Sequence, residues 1–256
     1  VDRAQLNALF NLDGRVAIVT GGTRGIGRAI AEGLVAAGAS VAVASRKPAA
    51  CAETEADLRA SGGRALGIAT HMGDIASVNA VVDRTVEEFG RLDIVVNNAA
   101  NALALPIGQI SVEGWTKSID VNLRGPVFLV ERALPHLRQS EHAVILNVIS
   151  AGAFLFSART AIYSAAKAGL MSMTRAQAAE LAPSGIRSNA LAPGTVDTDM
   201  VRNNTAEQIA AMASACFMRR AATVDEMVGP ALFLVSDASS YMTGQVLIID
   251  GGLTPH

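Results

Sequence analysis

The sequence predicts an α/β protein: a doubly wound parallel sheet in three α/β/α layers. Three observations point to it. Short apolar runs alternate with longer helical stretches along the whole chain. The runs are continuous rather than apolar–polar alternating, as strands buried on both faces require. The first run ends in a glycine cluster that opens directly into a helix.

In order, the strand-like runs are 15–20, 40–45, 64–70, 92–97, 143–149, 187–191 and 245–249. Each short run is too brief for a helix and is bounded by glycine or polar residues. Between them, a helix continues from the glycine cluster through Ala29 and stops at Gly38, a second spans 48–60, and Gly62–Gly63 breaks the chain before the third strand. Further helical stretches cover 77–89, 112–137 and 158–181. No repeat, low-complexity tract or Pro/Ser-rich linker interrupts the pattern, so residues 1–256 are expected to form one domain.

Composition removes other classes. The 256 residues are 50% hydrophobic but only 4% aromatic and 17% charged, with net charge −2. That balance excludes a disordered chain, and no stretch has the clustered Lys and Arg that nucleic acid would need; Arg219–Arg220 is a lone pair expected on solvated surface. Cys51 and Cys216 are too few and too far apart for a disulfide framework. No run approaches the roughly 18 apolar residues of a membrane span, and the first fifteen residues have no signal-peptide core. The expectation is a cytoplasmic protein with neither nucleic acid nor membrane as partner. His71, His136, His142 and His256 are scattered, so no metal site is expected.

The turn Thr20-Gly-Gly-Thr-Arg-Gly-Ile-Gly27 spaces Gly21, Gly25 and Gly27 as GxxxGxG. Without side chains there the loop folds tightly and a pyrophosphate can approach the free N–H groups of a helix N-terminus. Thr23, Arg24 and Ile26 complete this candidate dinucleotide loop. At the end of the second strand stand Ser45 and Arg46, with no acidic residue to accept a ribose 2′-OH. A guanidinium there, with Arg24 on the same side, suits a 2′-phosphate. The cofactor expected is NADP, with NAD left open.

Tyr163 and Lys167 are four apart in an alanine-rich helical stretch, hence on one face. A phenol is a poor acid–base catalyst near neutrality, and a neighbouring ammonium favours its ionised form. Thirteen residues upstream of the tyrosine, Ser150 closes the strand that contains Asn147.

These marks together resemble the short-chain dehydrogenase/reductase family, in its compact single-domain branch with a Rossmann-type fold, over nearly the whole chain. In family order they are the 20–27 turn, Asn97-Asn-Ala after the fourth strand, Asn122 in Asp120-Val-Asn-Leu, Ser150, Tyr163 with Lys167, and Pro193-Gly-Thr-Val-Asp-Thr198. The resemblance implies Tyr163 as general acid in carbonyl reduction and Ser150 as the group orienting the carbonyl oxygen. It implies that Lys167 lowers the tyrosine pKa and binds the nicotinamide ribose, and that Asn122 holds a water behind the lysine. It places Pro193, Gly194, Val196 and Thr198 beside the nicotinamide, Asn98 and Ala99 along the cofactor, His71 and Met72 near the adenine, and Asn97 at the sheet end. Two positions depart from the commonest pattern: Ala100 where glycine is usual, and His71 where an acidic residue is usual near the adenine. With Ser45-Arg46-Lys47 and the Gly-Gly-Leu-Thr-Pro ending, they are similar to the NADPH-dependent carbonyl/retinal reductase branch.

Substrate choice is expected from Ala151–Phe156, which is strongly apolar, and from a lid at about 194–222. Met200, Met212, Phe217 and Met218 in that region are expected to divide between ordinary core and an adaptable apolar pocket. A bulky apolar ketone, aldehyde or secondary alcohol fits, and Arg202 leaves room for an acidic group. A 3-oxoacyl-thioester reductase shares every catalytic residue and is the alternative enzyme. A catalytically silent NADP-binding regulator or scaffold is the alternative of another class. The resemblance also implies a homotetramer built on 112–137 and the tyrosine helix.

Overall fold

The computed structural model describes residues 1–155 and 158–254, so Phe156, Ser157, Pro255 and His256 lie outside the described residues. In chain order the elements are α1 (Arg3–Ala8), β1 (Val16–Thr20), α2 (Gly25–Ala36), β2 (Ser40–Ser45), α3 (Pro48–Ala60), β3 (Ala65–Ala69), α4 (Ile75–Phe89), β4 (Ile94–Asn97), α5 (Val112–Ile119), α6 (Gly125–Leu137), β5 (Val144–Val148), α7 (Ala161–Leu181), β6 (Arg187–Pro193), α8 (Asp199–Arg202), α9 (Ala206–Ala215), α10 (Val228–Val235) and β7 (Val246–Ile249). The strands form one parallel sheet in the order β3-β2-β1-β4-β5-β6-β7. Strand order reverses between β1 and β4, and a crevice opens beyond the carboxyl ends of strands at such a point.

Alternate residues of each strand feed two cores. Ala17, Val19, Val43, Val144 and Leu146 pack with Ile30 and Leu34 of α2 and Leu234 of α10. Ile18, Val95 and Ile145 face the other way, onto Val81 and Val82 of α4 and Leu129 and Leu137 of α6. The continuous apolar runs therefore have the cause assigned to them: both faces are covered, and β1, β4 and β5 are buried throughout.

Three helix boundaries differ from the sequence reading. The helix expected from 77 starts at Ile75, while the first core helix opens at Gly25, inside the glycine turn. The expected single helix 112–137 is two helices joined by a π-helical turn, Asp120–Arg124. Pro126 explains this: it has no N–H to give the Asn122 carbonyl, and the Gly125 N–H reaches back five residues to Asp120 O instead. The tyrosine helix begins at Ala161 rather than 158, which puts Tyr163 in its first turn. The N-terminal helix α1, capped by Asp2 and Gln5, was not expected; it buries none of its residues and so carries no amphipathic signal.

A buried polar ladder crosses the sheet. Asn97 Nδ2 of β4 donates to Asn147 Oδ1 of β5 at 2.9 Å. Asn147 Nδ2 donates in turn to Thr174 Oγ1 at 2.9 Å and Gln177 Oε1 at 3.1 Å, both on α7. Gln177 Oε1 also accepts from Ser188 Oγ of β6. Asn147 is thus the bolt between α7 and the strands. Replacing Asn147 by Leu takes one hydrogen bond from each of three buried polar partners, Asn97, Thr174 and Gln177, and is expected to destabilise the protein by about 2–4 kcal/mol. Chemical denaturation checks this; a loss below about 1 kcal/mol would count against the ladder as a tie.

Candidate active site

At the crevice, Thr20 closes β1 against β4. Its hydroxyl donates to Val96 O and accepts from the Asn98 and Ala99 amides at 3.0 and 3.1 Å. Asn98 Nδ2 donates to the Thr20 and Gly21 carbonyls. Gly21 needs its φ of +66°, and a Cβ on Gly27 would lie 2.2 Å from Asn98 Nδ2 and 2.4 Å from Gly21 O. Only glycine fits where strand, turn and helix meet so closely. The N-cap of α2 is Arg24, whose side chain makes no capping bond. The first-turn N–H groups of α2 are therefore oriented for an anion, and the residues present fit a dinucleotide pyrophosphate.

On the adenosine side, Thr23 Oγ1 donates to Ser45 Oγ at 3.0 Å. Arg46 and Lys47 are exposed beside it. His71 is exposed, its Nδ1 accepting from the Gly73 amide, and Met72 is buried under it. Gly125 explains why the π-helical turn can lie against this segment: a Cβ there would fall 2.3 Å from Met72 O. Ala100, where glycine is usual, sits half-buried in the loop after β4.

The strand end of β5 carries the reactive groups. Ser150 caps a 3₁₀ turn, its Oγ accepting from the Gly152 amide at 3.1 Å. The Ser150 side chain is near enough to the Tyr163 hydroxyl to favour its ionised form. Lys167 is fully buried; its Nζ donates to Val148 O at 2.7 Å and lies 5.8 Å from the Tyr163 ring centre. Burial pushes the Lys167 ammonium down to about 8. Burial also raises the Tyr163 phenol, with Ser150 opposing it. The phenol is therefore raised in the protein alone, and Lys167 is not among the groups that shift it.

Ser150, Tyr163 and Lys167 are brought together; Asn122 is bonded elsewhere. Its Nδ2 donates to Asn101 O and Ser118 O, each at 2.9 Å, and its Oδ1 accepts from the Asn101 amide at 3.1 Å. It sits in the π-helical turn, whose Leu123 packs against Gly169 of α7. Beyond β6, Pro193 pairs with Ile249, and Gly194 lies so close to Asp250 that a Cβ would be 2.7 Å from its Cα. Val196 bridges Ala222, and Thr198 caps α8.

A model of the family described as enoyl-(acyl carrier protein) reductase matches residues 21–254. The cis-4-hydroxycyclohexanecarboxylate dehydrogenase of Sinomonas cyclohexanicum is 39% identical over 241 residues, 94% of this chain and 96% of its own length. This chain is a short-chain dehydrogenase/reductase. The 3-oxoacyl-(acyl-carrier-protein) reductase of Escherichia coli K12 is 33% identical over 95% of this short-chain dehydrogenase and 99% of its own length. A structure described as an NAD(P)-dependent gluconate 5-dehydrogenase from Beutenbergia cavernae, with NADP bound at low occupancy, superposes with TM-score 0.90 at 35% identity, covering 96% of this chain and 98% of that one. As a member of the family, the protein is an NAD(P)-dependent oxidoreductase acting on alcohol or carbonyl groups, and its sheet is the Rossmann-type fold of its structural relatives.

The segment expected to choose the substrate differs from the sequence reading. Met200, Met212, Phe217 and Met218 are all exposed, Phe217 at 77%, so none of the four is core. Neither α8 nor α9 buries a residue. Arg202 is paired with Asp197 through two bonds, at 2.7 and 2.9 Å, rather than left open for an acidic ligand. Arg220 of the expected solvated pair is bound to Glu226. Sequence reasoning missed Asn101, Thr174 and Gln177. Asparagine inside an apolar strand was the available signal for the ladder, since it is unfavourable there unless bonded.

Lys167→Met removes a buried charge at nearly constant volume. Below about pH 8 the lysine's depressed pKa penalises the fold by about 3 kcal/mol; part of the gain is offset because Val148 O loses its donor. The ligand-free variant is expected to melt about 5 °C higher at pH 7. The gain should shrink as pH rises from about 8 to 10.5, where the wild-type lysine becomes neutral in both states. Thermal melts across that range test it.

Proposed function

We propose that this short-chain dehydrogenase moves a hydride between NADP(H) and an apolar carbonyl or secondary alcohol. Tyr163 serves as general acid in reduction, Ser150 orients the oxygen, and Lys167 and Asn122 complete the site. The observation that carries the reading is the buried Lys167, tied to Val148 O with its Nζ 5.8 Å from the Tyr163 ring, beside Ser150 at the end of β5. When bound, the nicotinamide supplies or accepts the hydride. Ser150 Oγ, held by the Gly152 amide, fixes the substrate oxygen beside the phenol. Tyr163 Oη gives its proton to that oxygen as the carbon is reduced, and takes it back in alcohol oxidation. A raised phenol pKa keeps the acid protonated near neutrality, as reduction requires. The free N–H groups of Lys167 face the position of the ribose hydroxyls, and Asn122 holds the loop after β4 in place for a water behind the lysine.

Gly21, Thr23, Gly25, Ile26 and Gly27 cradle the pyrophosphate. Asn98, Ala99, Pro193, Gly194, Val196 and Thr198 line the cofactor toward the nicotinamide, and His71 and Met72 border the adenine. Arg24, Ser45 and Arg46 favour NADP, because no carboxylate stands at the end of β2 and Arg46 is exposed there. The exposed methionines and Phe217 support a lid at 194–222 closing on an apolar substrate within a single domain of 1–256. The relative that acts on a hydroxycyclohexane carboxylate supports a ring alcohol. The 3-oxoacyl reductase relatives favour a second reading, a 3-oxoacyl thioester as substrate. Exposed Val112 and Trp115 on α5 and Phe128 on α6 support assembly as a homotetramer.

Tyr163→Phe is expected to lower kcat for reduction at least about 10³-fold while NADPH still binds within a few-fold of wild type; retained turnover would refute the acid role. The KM for NADPH is expected below that for NADH, and the reverse order would reassign the cofactor. For wild type, kcat of alcohol oxidation should rise with pH up to and beyond 10 as the small phenolate fraction grows, whereas kcat of carbonyl reduction should stay level to about pH 10, because the raised phenol remains protonated. Turnover of cyclic ketones against an acetoacetyl thioester separates the two substrate readings.

A further inference from the structure

The glycine turn and the first turn of the proposed lid touch. Arg24 Nη1 lies 3.1 Å from Asp199 Oδ2, an ion pair between residues 175 apart in sequence. One residue on either side, a Cβ on Gly25 would stand 3.3 Å from Thr198 Cγ2. Arg24 is the N-cap of α2 and uses none of its side chain to cap it, while Asp199 opens α8. The neighbouring lid carboxylate, Asp197, is already taken by Arg202. Asp199 is thus the lid carboxylate that engages the cofactor loop.

We propose that Asp199 is a specificity-determining residue for the cofactor, holding Arg24 in a pair that an adenosine 2′-phosphate must displace. The inference rests on the NADP reading, in which Arg24 grips that phosphate. A guanidinium binds phosphate best through two parallel N–H bonds, and a carboxylate on Nη1 occupies part of that fork. NADP(H) therefore exchanges a carboxylate for a phosphate on Arg24, whereas NAD(H), with a hydroxyl there, leaves the pair intact. The same exchange unhooks the first turn of the lid from the glycine loop, so reading one phosphate at the adenosine end alters the tether of a segment at the substrate end. Both side chains are more than half exposed, at 71% and 54%. A pair so exposed shifts an equilibrium by no more than about fivefold and weakens with salt.

The test is calorimetric binding of NADP+ and NAD+ to the full chain as wild type, Asp199→Asn, Arg24→Gln and the double variant. Asp199→Asn is expected to tighten NADP+ about threefold and leave NAD+ unchanged. In the Arg24→Gln background the same substitution should change neither, and the threefold gain should fade in 0.5 M salt. If Asp199→Asn leaves NADP+ unchanged, shifts both cofactors alike, or acts equally without Arg24, the inference is overturned. In that case a loss of NADP+ affinity in Arg24→Gln alone leaves the NADP reading standing. If Arg24→Gln does not weaken NADP+ and wild type prefers NAD+, the cofactor reading fails and the inference falls with it.

Discussion

The catalytic end of this protein depends on the register of α7 against β5. Lys167 reaches the sheet only because Val148 O is there to accept its proton at 2.7 Å, and it is held at that height by Thr174 and Gln177, which grip Asn147 two and three turns further along the helix. A slide of α7 by one residue would rotate these groups off the sheet and leave an ammonium buried without an acceptor, an expensive state in a low-dielectric interior. The apolar residues on the same face, Ile162, Ala166 and Leu170, resist the slide less specifically, because apolar packing tolerates small shifts that hydrogen bonds do not. Polar bonds set the register here and hydrophobic burial supplies the cohesion.

The same division explains what could be read from the sequence. Strands were legible because their runs are continuously apolar: β2 matches to the residue, and the others to within two at either end. Ser150, Tyr163 and Lys167 could be picked out because the proposed chemistry demands particular side chains at fixed spacings. The π-helical turn was not, since its cause is the absence of one N–H at Pro126 within a pattern that otherwise reads as continuous helix. Asn122 was found as a motif; its partner Ser118 is one turn upstream, but Asn101 lies in the loop after β4 and only the fold brings it there. Met200, Met212, Phe217 and Met218 were expected to divide between core and an apolar pocket; methionine and phenylalanine signal burial on average, and here all four stand exposed.

The cofactor end works by exclusion of atoms. At Gly21 and Gly27 the chain passes so near Asn98 that a single methyl group would separate the turn from β4. The Thr20 hydroxyl and the Asn98 amide use that closeness to hold the two central strands together where the sheet order reverses. The dinucleotide loop is therefore a structural clasp as well as a candidate binding site, and its stiffness lets the α2 N–H groups stay aligned before any anion arrives.

The wide turn at Asp120–Arg124 gives the chain a frame shift of its own. A π turn holds about one residue more than an α turn, so the faces of α5 and α6 fall out of phase by roughly 100° across it. Asn122 points where it does because of that surplus residue. Shortening the turn by one would carry the asparagine round to another side and would set Pro126 inside a continuous helix, where its missing N–H leaves a carbonyl unpaired. The length of the segment is thus fixed twice, by one proline and by where one amide must point.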